Sequence, residues 1–546
     1  MKKVVLVFMV IFITIGIIAC KKGDTSSAKA GTGVTEFPGG WKPTHDYKNN
    51  LTFAIANVGV TEGYDYTNGD AYVRWFANAF NAKFELTGMG WDNWTELLRI
   101  WISSGDMPDV AIFDYTQQTH PDAASWVEQG LLKKLPDNWK QRWPNLARVF
   151  EKTTLGPQLE KSYGGTYFLP RSRFDLNLPH YPLPDHVSFV FRKDWAEAVG
   201  FPVKDVYKTS EIIQYGQLIA QHDPGKLGAK LVPISNRPNW AMRLFMLSNF
   251  QHMSTFYKDK KDGKYKWGPA ADETLAGLKL FYRAYSTGAL NREFYTLKGE
   301  EDYDQFRVSG VSGGFYGEAT TYHLQMARQS FDKNLGLKPD DCIAVATIVG
   351  EDGYYHLEDL INYWGVHLFN PKISNEKFER WLDMLDFVAT DPGFYMGNFG
   401  LEGIDWKRGN SPDEIISLLP PGMDLAGPTG KYPSILGFGN NIKQGDDLSF
   451  INPNFEPWVR AASKRLYDDR SRLSTPDTLT EIDWPLFYYD SPARRRAGTL
   501  DFQVEYANLV TRATSEANLE QLWKAWVTAQ MPIIQPALDE LNSKLR

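Results

Sequence analysis

The order of elements between residues 51 and 114 constrains the fold more than any other feature. "LTFAIANVGV", residues 51–60, is an almost unbroken apolar run and reads as a buried strand. A turn-rich loop follows, then a helical pattern around residues 71–82. A second helix, around 93–103, places Trp94, Leu97, Leu98 and Trp101 on one face and stops at Gly105. "MPDVAIFD" supplies the next buried strand, residues 109–113, ending on Asp114. Strand, helix, strand in this order requires a crossover, so the two strands pair in parallel and build an α/β layer. Ligands of such sheets sit at the carboxyl ends of strands, here residues 57–66 and Asp114 with Tyr115.

The alternation continues downstream. "HVSFVFRKDW", 186–195, is a strand, and "TSEIIQYGQLIAQHDP" is a capped helix with Ile212, Tyr215 and Ile219 on its apolar stripe. "YWGVHLFNP" is a further strand. It leads into "SNEKFERWLDMLDFVATDPG", where Phe378, Trp381, Leu382, Leu385 and Val388 share a face that begins after Ser374 or Asn375 and ends before Pro392. Residues 519–545 are again helical, with Pro532 and Pro536 expected to break or kink them. No repeat of solenoid period is present. A chain of 546 residues exceeds one core and suits two or three domains.

The N-terminus reads as an export signal: Lys2 and Lys3, then an apolar stretch over residues 4–19, interrupted only by Thr14 and Gly16. The alternative is an uncleaved membrane anchor, which needs about 20 apolar residues. "IIAC" resembles the bacterial lipobox, which implies that Cys20 is acylated and becomes the first residue of the mature chain. Two or three acyl chains, at about 0.8 kcal/mol per buried methylene, hold a domain on a membrane where one does not. Residues 20–40, rich in Gly, Ser, Thr, Ala and Lys, then form a flexible tether.

A net charge of −7 argues against nucleic-acid binding. Cys342 is the only cysteine besides Cys20, so no disulfide staples the mature chain and its cores must be large. The aromatic content is 14%, with 18 Trp. Most of these rings belong in cores, yet several stand among Gly, Asp, Asn and Pro, as in "EGYDYTNGD", "GWDNWTE", "NRPNWAMR" and "LEGIDWKRGN". Aromatics beside acids and amides suit sugars, whose C–H faces stack on rings while their hydroxyls need paired donors and acceptors.

Five stretches in order, "SGDMPDV", "WVEQGLLKKL", "GGTYFLPR", "FRKDWAEAVGF" and "GNFGLEGIDWK", resemble the signature segments of family 1 extracellular solute-binding proteins, particularly the large lipoproteins that serve ABC importers of oligosaccharides. The segment "DQFRVSGVSGGFYGEA" departs from that pattern. The resemblance implies a two-lobed α/β fold of the type 2 periplasmic-binding-protein kind with the ligand cleft between the lobes. It divides the chain into signal 1–19, tether 20–40, first lobe 41–186 and 350–404, and second lobe 187–349 and 405–546 including the C-terminal helices. It further implies a monomer without cofactor or catalysis, anchored at the cell envelope, facing the periplasm or exterior, with a carbohydrate ligand and ABC permease subunits as partners.

The candidate ligand-binding residues are Tyr64, Asp65 and Tyr66 after the first strand, Asp114 and Tyr115 after the next, and Arg171 and Arg173, where two arginines at a lobe crossing suit an acidic sugar. Trp240 and Arg243, Tyr316 and Glu318, Trp364, and Glu402 with Trp406 complete the set. For each, a structural role in a turn, a salt bridge or core packing is the competing reading.

The competing class is an exported glycoside hydrolase using a carboxylate pair. "GVSGG" matches G-x-S-x-G, but a polar helical segment precedes Ser312 and an apolar one follows, the reverse of a nucleophile elbow. No zinc motif is present. His356, Glu358 and Asp359 read as surface charge.

Overall fold

The computed structural model describes residues 36–90, 93–117, 119–173, 187–357, 362–410, 414–420, 423–427, 430–443, 452–479 and 482–545. The expected signal, the lipidation residue Cys20 and tether residues up to 35 lie outside the described residues, as do Glu358 and Asp359.

Two sheets organise the chain. The first runs in the order β2 (Ala82–Met89), β1 (Leu51–Val58), β3 (Val110–Phe113), β11 (Tyr363–Phe369), β4 (Leu169–Ser172). β1 pairs in parallel with both β2 and β3, as the crossover logic requires, and β11 enters antiparallel between β3 and β4. The second sheet has the order β6 (Val206–Lys208), β10 (Ile343–Val349), β5 (Val187–Arg192), β9 (Gly314–Glu318). Two hairpins complete the strands, β7 (Phe256–Lys258) with β8 (Tyr265–Trp267) and β12 (Trp406–Arg408) with β13 (Ile415–Ser417). The chain thus leaves the first sheet after Ser172, builds the second from Val187 to Val349, and returns at Tyr363.

Each sheet has its own core. Side chains alternate across β1: Phe53 and Ile55 join a cluster with Trp381, Leu382 and Phe438, whereas Ala56 and Val58 join one with Leu98, Ile102 and Trp126 on the opposite face. Helices therefore cover both faces of the first sheet, which explains why its strands read as continuous apolar runs. The second sheet is buried in a separate cluster containing Phe189, Phe191, Tyr215, Ile219, Phe245 and Phe281. Full burial of each such side chain contributes about 1.5–3 kcal/mol. Two large cores replace the disulfides this chain lacks.

Helix Asn375–Val388 starts at the N-cap Ser374, whose side chain accepts from the Lys377 amide. Its apolar stripe packs on the first sheet, while two buried acids on it gather distant backbone. Asp383 accepts from Trp143 Nε1 at 2.7 Å and Tyr47 Oη at 2.8 Å. Asp386 accepts from Trp41 Nε1 at 2.8 Å and from the amides of Asn145 and Leu146 at 2.8 and 2.9 Å. Those two amides open helix Pro144–Lys152, whose own N-cap, Trp143, offers no side-chain acceptor, so Asp386 caps it from outside.

The structure differs from the sequence reading in five places. The expected 20–40 tether ends early, because Phe37 is buried in the first core with its ring 4.7 Å from that of Trp41. Strand β2 is added between the first two helices; its exposed Lys83 and Glu85 mask the apolar signal. The C-terminal helix runs unbroken from Glu516 to Lys544 through Pro532 and Pro536. Each proline removes one intrahelical hydrogen bond and crowds the carbonyl four residues earlier, and the burial of Trp523, Ile534, Ala537 and Leu541 offsets that cost. The assignment of 405–546 to the second lobe is corrected in two stretches: Leu425, Tyr432, Ile435, Phe438 and Ile442 pack into the first core, with the Phe438 ring 4.2 Å from that of Phe84, and Phe487 packs against the opposite face of the first sheet with Phe113 and Tyr115. His356 is buried rather than a surface charge, contacting Gln251 Oε1 at 2.8 Å and Asp352 Oδ2 at 3.0 Å.

Among the described residues, no helix is long and apolar enough to cross a membrane.

Candidate functional site

Two cavities, of about 470 and 610 Å³, lie between the two sheets. They share Arg173 and Trp364 in their walls, so they are compartments of one cleft that meet at these residues. The smaller takes Arg171 and Asn398 from the first lobe and Glu318, Thr321 and His323 from the second. The larger takes Asp114, Tyr115 and His120 from the first lobe, hairpin residues Phe256 and Trp267, and the segment from Tyr489 to Arg495.

A β-bulge brings Trp364 to this junction. The register of β11 against β4 shifts between Tyr363 and Val366, and both residues pack into the same core although strict alternation would place them on opposite faces. Gly365 supplies the kink at φ 65°; a Cβ there would sit 2.7 Å from Ile112 Cγ2. Trp364 is stacked on Trp94 at 5.7 Å, and the Arg171 guanidinium lies 4.8 Å from its ring centroid. Arg171 is itself buried.

Asp114 stands at the carboxyl end of β3, as the rule for parallel strands expects. Among the described residues no hydrogen bond or ion pair reaches its carboxyl, and burial raises its pKa above the ordinary aspartate value. Tyr115 is held by a 2.7 Å hydroxyl contact with Tyr163 and stacks on Phe487 at 6.0 Å. Glu318, at the end of β9, faces His323 Nε2 at 2.8 Å. His120 stacks on Phe487, and burial lowers its pKa to about 4, leaving a neutral imidazole.

Asp114, Tyr115, Arg171, Arg173, Glu318 and Trp364 therefore converge on the cleft. The remaining sequence candidates line neither cavity. Tyr64 donates to Asp70 at 2.6 Å, Asp65 accepts from the amides of Thr67 and Asn68, and Tyr66 accepts from the Thr61 amide, so the three shape a loop. Trp240 is buried in the second core, with Arg237 and Arg243 over its ring at 5.7 and 5.6 Å. Tyr316 is buried beside it. Trp406 is buried against Phe399, donating to the Gly400 carbonyl at 3.0 Å, and Glu402 faces Arg408 at 3.6 Å on the same hairpin. Most loop aromatics thus clamp loops onto cores. Ser312 is fully buried and bonds to Gly314, which removes it as a nucleophile.

Sequence reasoning missed His120, His323, Asn398 and the "YYDSPARRR" segment. Only the last carried a signal, a dense run of aromatics and arginines.

No family model and no curated protein matches the sequence. Solved structures do match in fold. The alginate-binding protein AlgQ2, without calcium ion, superposes with a TM-score of 0.61 at 16% identity, covering 91% of this chain and 98% of that one. An HMO-binding, ABC-transporter-associated solute-binding protein from Bifidobacterium longum infantis gives 0.59 at 13%, covering 90% and 97%. The S. pneumoniae substrate-binding protein FusA in complex with kestose gives 0.59 at 15%, covering 90% and 99%. This chain has the two-lobed α/β fold of the ABC-transporter solute-binding proteins it resembles.

Proposed function

We propose that this protein is an extracytoplasmic substrate-binding lipoprotein of an ABC importer, which captures an oligosaccharide between its lobes and delivers it to the membrane permease. The observation that carries this reading is the divided cleft, walled by both lobes and joined at Arg173 and Trp364. A chain of sugar rings passing that junction contacts both lobes at once. It stabilises the closed state by its differential affinity and so shifts the lobe equilibrium, giving the permease a conformation to recognise. The fold neighbours named above are described as binding alginate, HMO and kestose, which supports a glycan.

The cleft also favours capture over chemistry. A glycosidase needs two carboxyls free to act. Among the acids lining the cleft, Glu318 faces His323, Asp424 accepts from the amides of Gln325 and Gln329 at 3.2 Å, and Asp490 is bound by Arg495. Only Asp114 lacks a partner among the described residues. The protein works as a monomer at the cell envelope, and acylation of Cys20, with a tether that ends before Phe37 packs into the first core, keeps it near the permease at high local concentration.

Binding is tested by tryptophan fluorescence and calorimetry with pooled oligosaccharides. We expect saturable binding, recovery of chemically unchanged sugar, and at least a tenfold affinity loss in Trp364→Ala. Release of shorter sugars overturns the proposal. Mass spectrometry of the native protein checks the anchor: an unmodified Cys20 or a retained Met1 refutes it.

A further inference from the structure

The larger compartment of the cleft contains a cation that the protein does not neutralise. Arg494 stands on the short helix Pro492–Ala497, and its guanidinium lies over the Phe256 ring at 4.6 Å. Its Nε is buried with no hydrogen-bond acceptor. No carboxylate among the described residues offsets it, and burial alone lowers its pKa to about 10. The adjacent Arg495 differs, because its Nε donates to Asp490 Oδ1 at 2.8 Å. Arg171 and Arg173, the arginines that the sequence singles out, both already interact within the protein.

A guanidinium withdrawn from water without a counter-charge is unfavourable, and its planar fork fits a carboxylate through two parallel hydrogen bonds. Hydroxyls of a neutral sugar would accept its hydrogen bonds but leave the charge uncompensated. Asp114 lines the same compartment, but no ion pair or hydrogen bond joins its carboxyl to the Arg494 guanidinium, so the two are not paired. We propose that Arg494 binds a carboxylate on the sugar, making the ligand an acidic oligosaccharide. This rests on the reading of the cleft as an oligosaccharide site. It places the selection for charge on the C-terminal helices rather than at the crossing arginines.

The test uses the full chain and three pools: uronic-acid oligosaccharides, sialylated oligosaccharides, and neutral oligosaccharides of similar length. Immobilised protein is exposed to each, retained sugars are identified by mass spectrometry, and affinities are measured by calorimetry. We expect retention from one of the acidic pools, which also identifies the source of the carboxylate. Arg494→Gln should weaken that binding at least about 30-fold, the loss typical of removing one partner of a buried charge pair. Arg494→Lys, which keeps the charge but not the fork, should be intermediate, and it carries the test if the Gln variant does not fold. Equal or better retention of neutral sugars, or a change below about threefold in both variants, overturns this proposal and leaves oligosaccharide capture standing. Retention from none of the pools overturns the oligosaccharide reading itself, and this proposal with it.

Discussion

Removing the Asp383 carboxyl should destabilise the first lobe, and the size of the effect follows from what the carboxyl holds. Its side chain is fully buried; Oδ1 accepts from Trp143 Nε1 at 2.7 Å, Oδ2 accepts from Tyr47 Oη at 2.8 Å, and the Thr44 amide reaches both oxygens at 3.3 Å. Asp383→Ala leaves the indole N–H and the phenol without acceptors, and each orphaned buried donor costs about 1–3 kcal/mol. Burial raises the Asp383 pKa, so the carboxylate is itself partly desolvated, and its removal returns some of that loss. The net expectation is a destabilisation of about 3 kcal/mol. Asp383→Asn should cost only about 1 kcal/mol, because Oδ1 can still accept from Trp143 while Tyr47 Oη turns to accept from the new amide. For a lobe of this size, 3 kcal/mol lowers the melting temperature by roughly 6–12 °C. Differential scanning calorimetry reads both variants. An Asp383→Ala protein as stable as the parent, or less affected than Asp383→Asn, would refute the reasoning.

Acid should unfold the protein through buried neutral histidines. Burial lowers His120 and His252 to about 4 and His367 to about 3. The folded state therefore binds fewer protons, and the stability these groups contribute is complete above their unfolded pKa of about 6.5 and falls as pH drops toward 4. We expect a loss of about 1–2 kcal/mol per histidine between pH 7 and pH 5, read by denaturant titration, and a flatter profile in His367→Gln; a profile unchanged by that substitution contradicts the assignment. Gly365→Ala forces a side chain into positive φ and against Ile112, which should cost about 1–3 kcal/mol and shift the Trp364 fluorescence. A variant with parental stability and emission would exclude the bulge as the device that aims Trp364.

The elements were legible wherever their signals are local. Ser374 caps its helix, Gly105 ends another at φ 75°, and β1, β3 and β11 stand where apolar runs place them. Strand β2 was not legible, because an edge strand that alternates Phe84 with exposed charges has a weak apolar signal. Of the candidate site residues, Asp114 and Tyr115 after β3, Arg171 and Arg173 at the crossing, Glu318 at the end of β9 and Trp364 line the cleft, whereas Tyr64, Asp65 and Tyr66 after β1 do not. Trp240 and Trp406 are aromatics beside polar residues, a pattern that loop aromatics share when they anchor a loop to a core, and Tyr316 lies inside β9 with its ring turned into the second core.

By itself the sequence determined the α/β alternation, the parallel start of the first sheet and the need for large cores, since periodicity, capping and crossover length act over a few residues. Tertiary structure alone decided which side chains face one another across the cleft. Leu425 and residues 432–442 return to the first core, a one-residue bulge turns Trp364 to the junction, and Arg494 reaches the compartment lined by Asp114 from the far end of the chain. Those outcomes depend on how two separately packed lobes meet, and no local pattern encodes that.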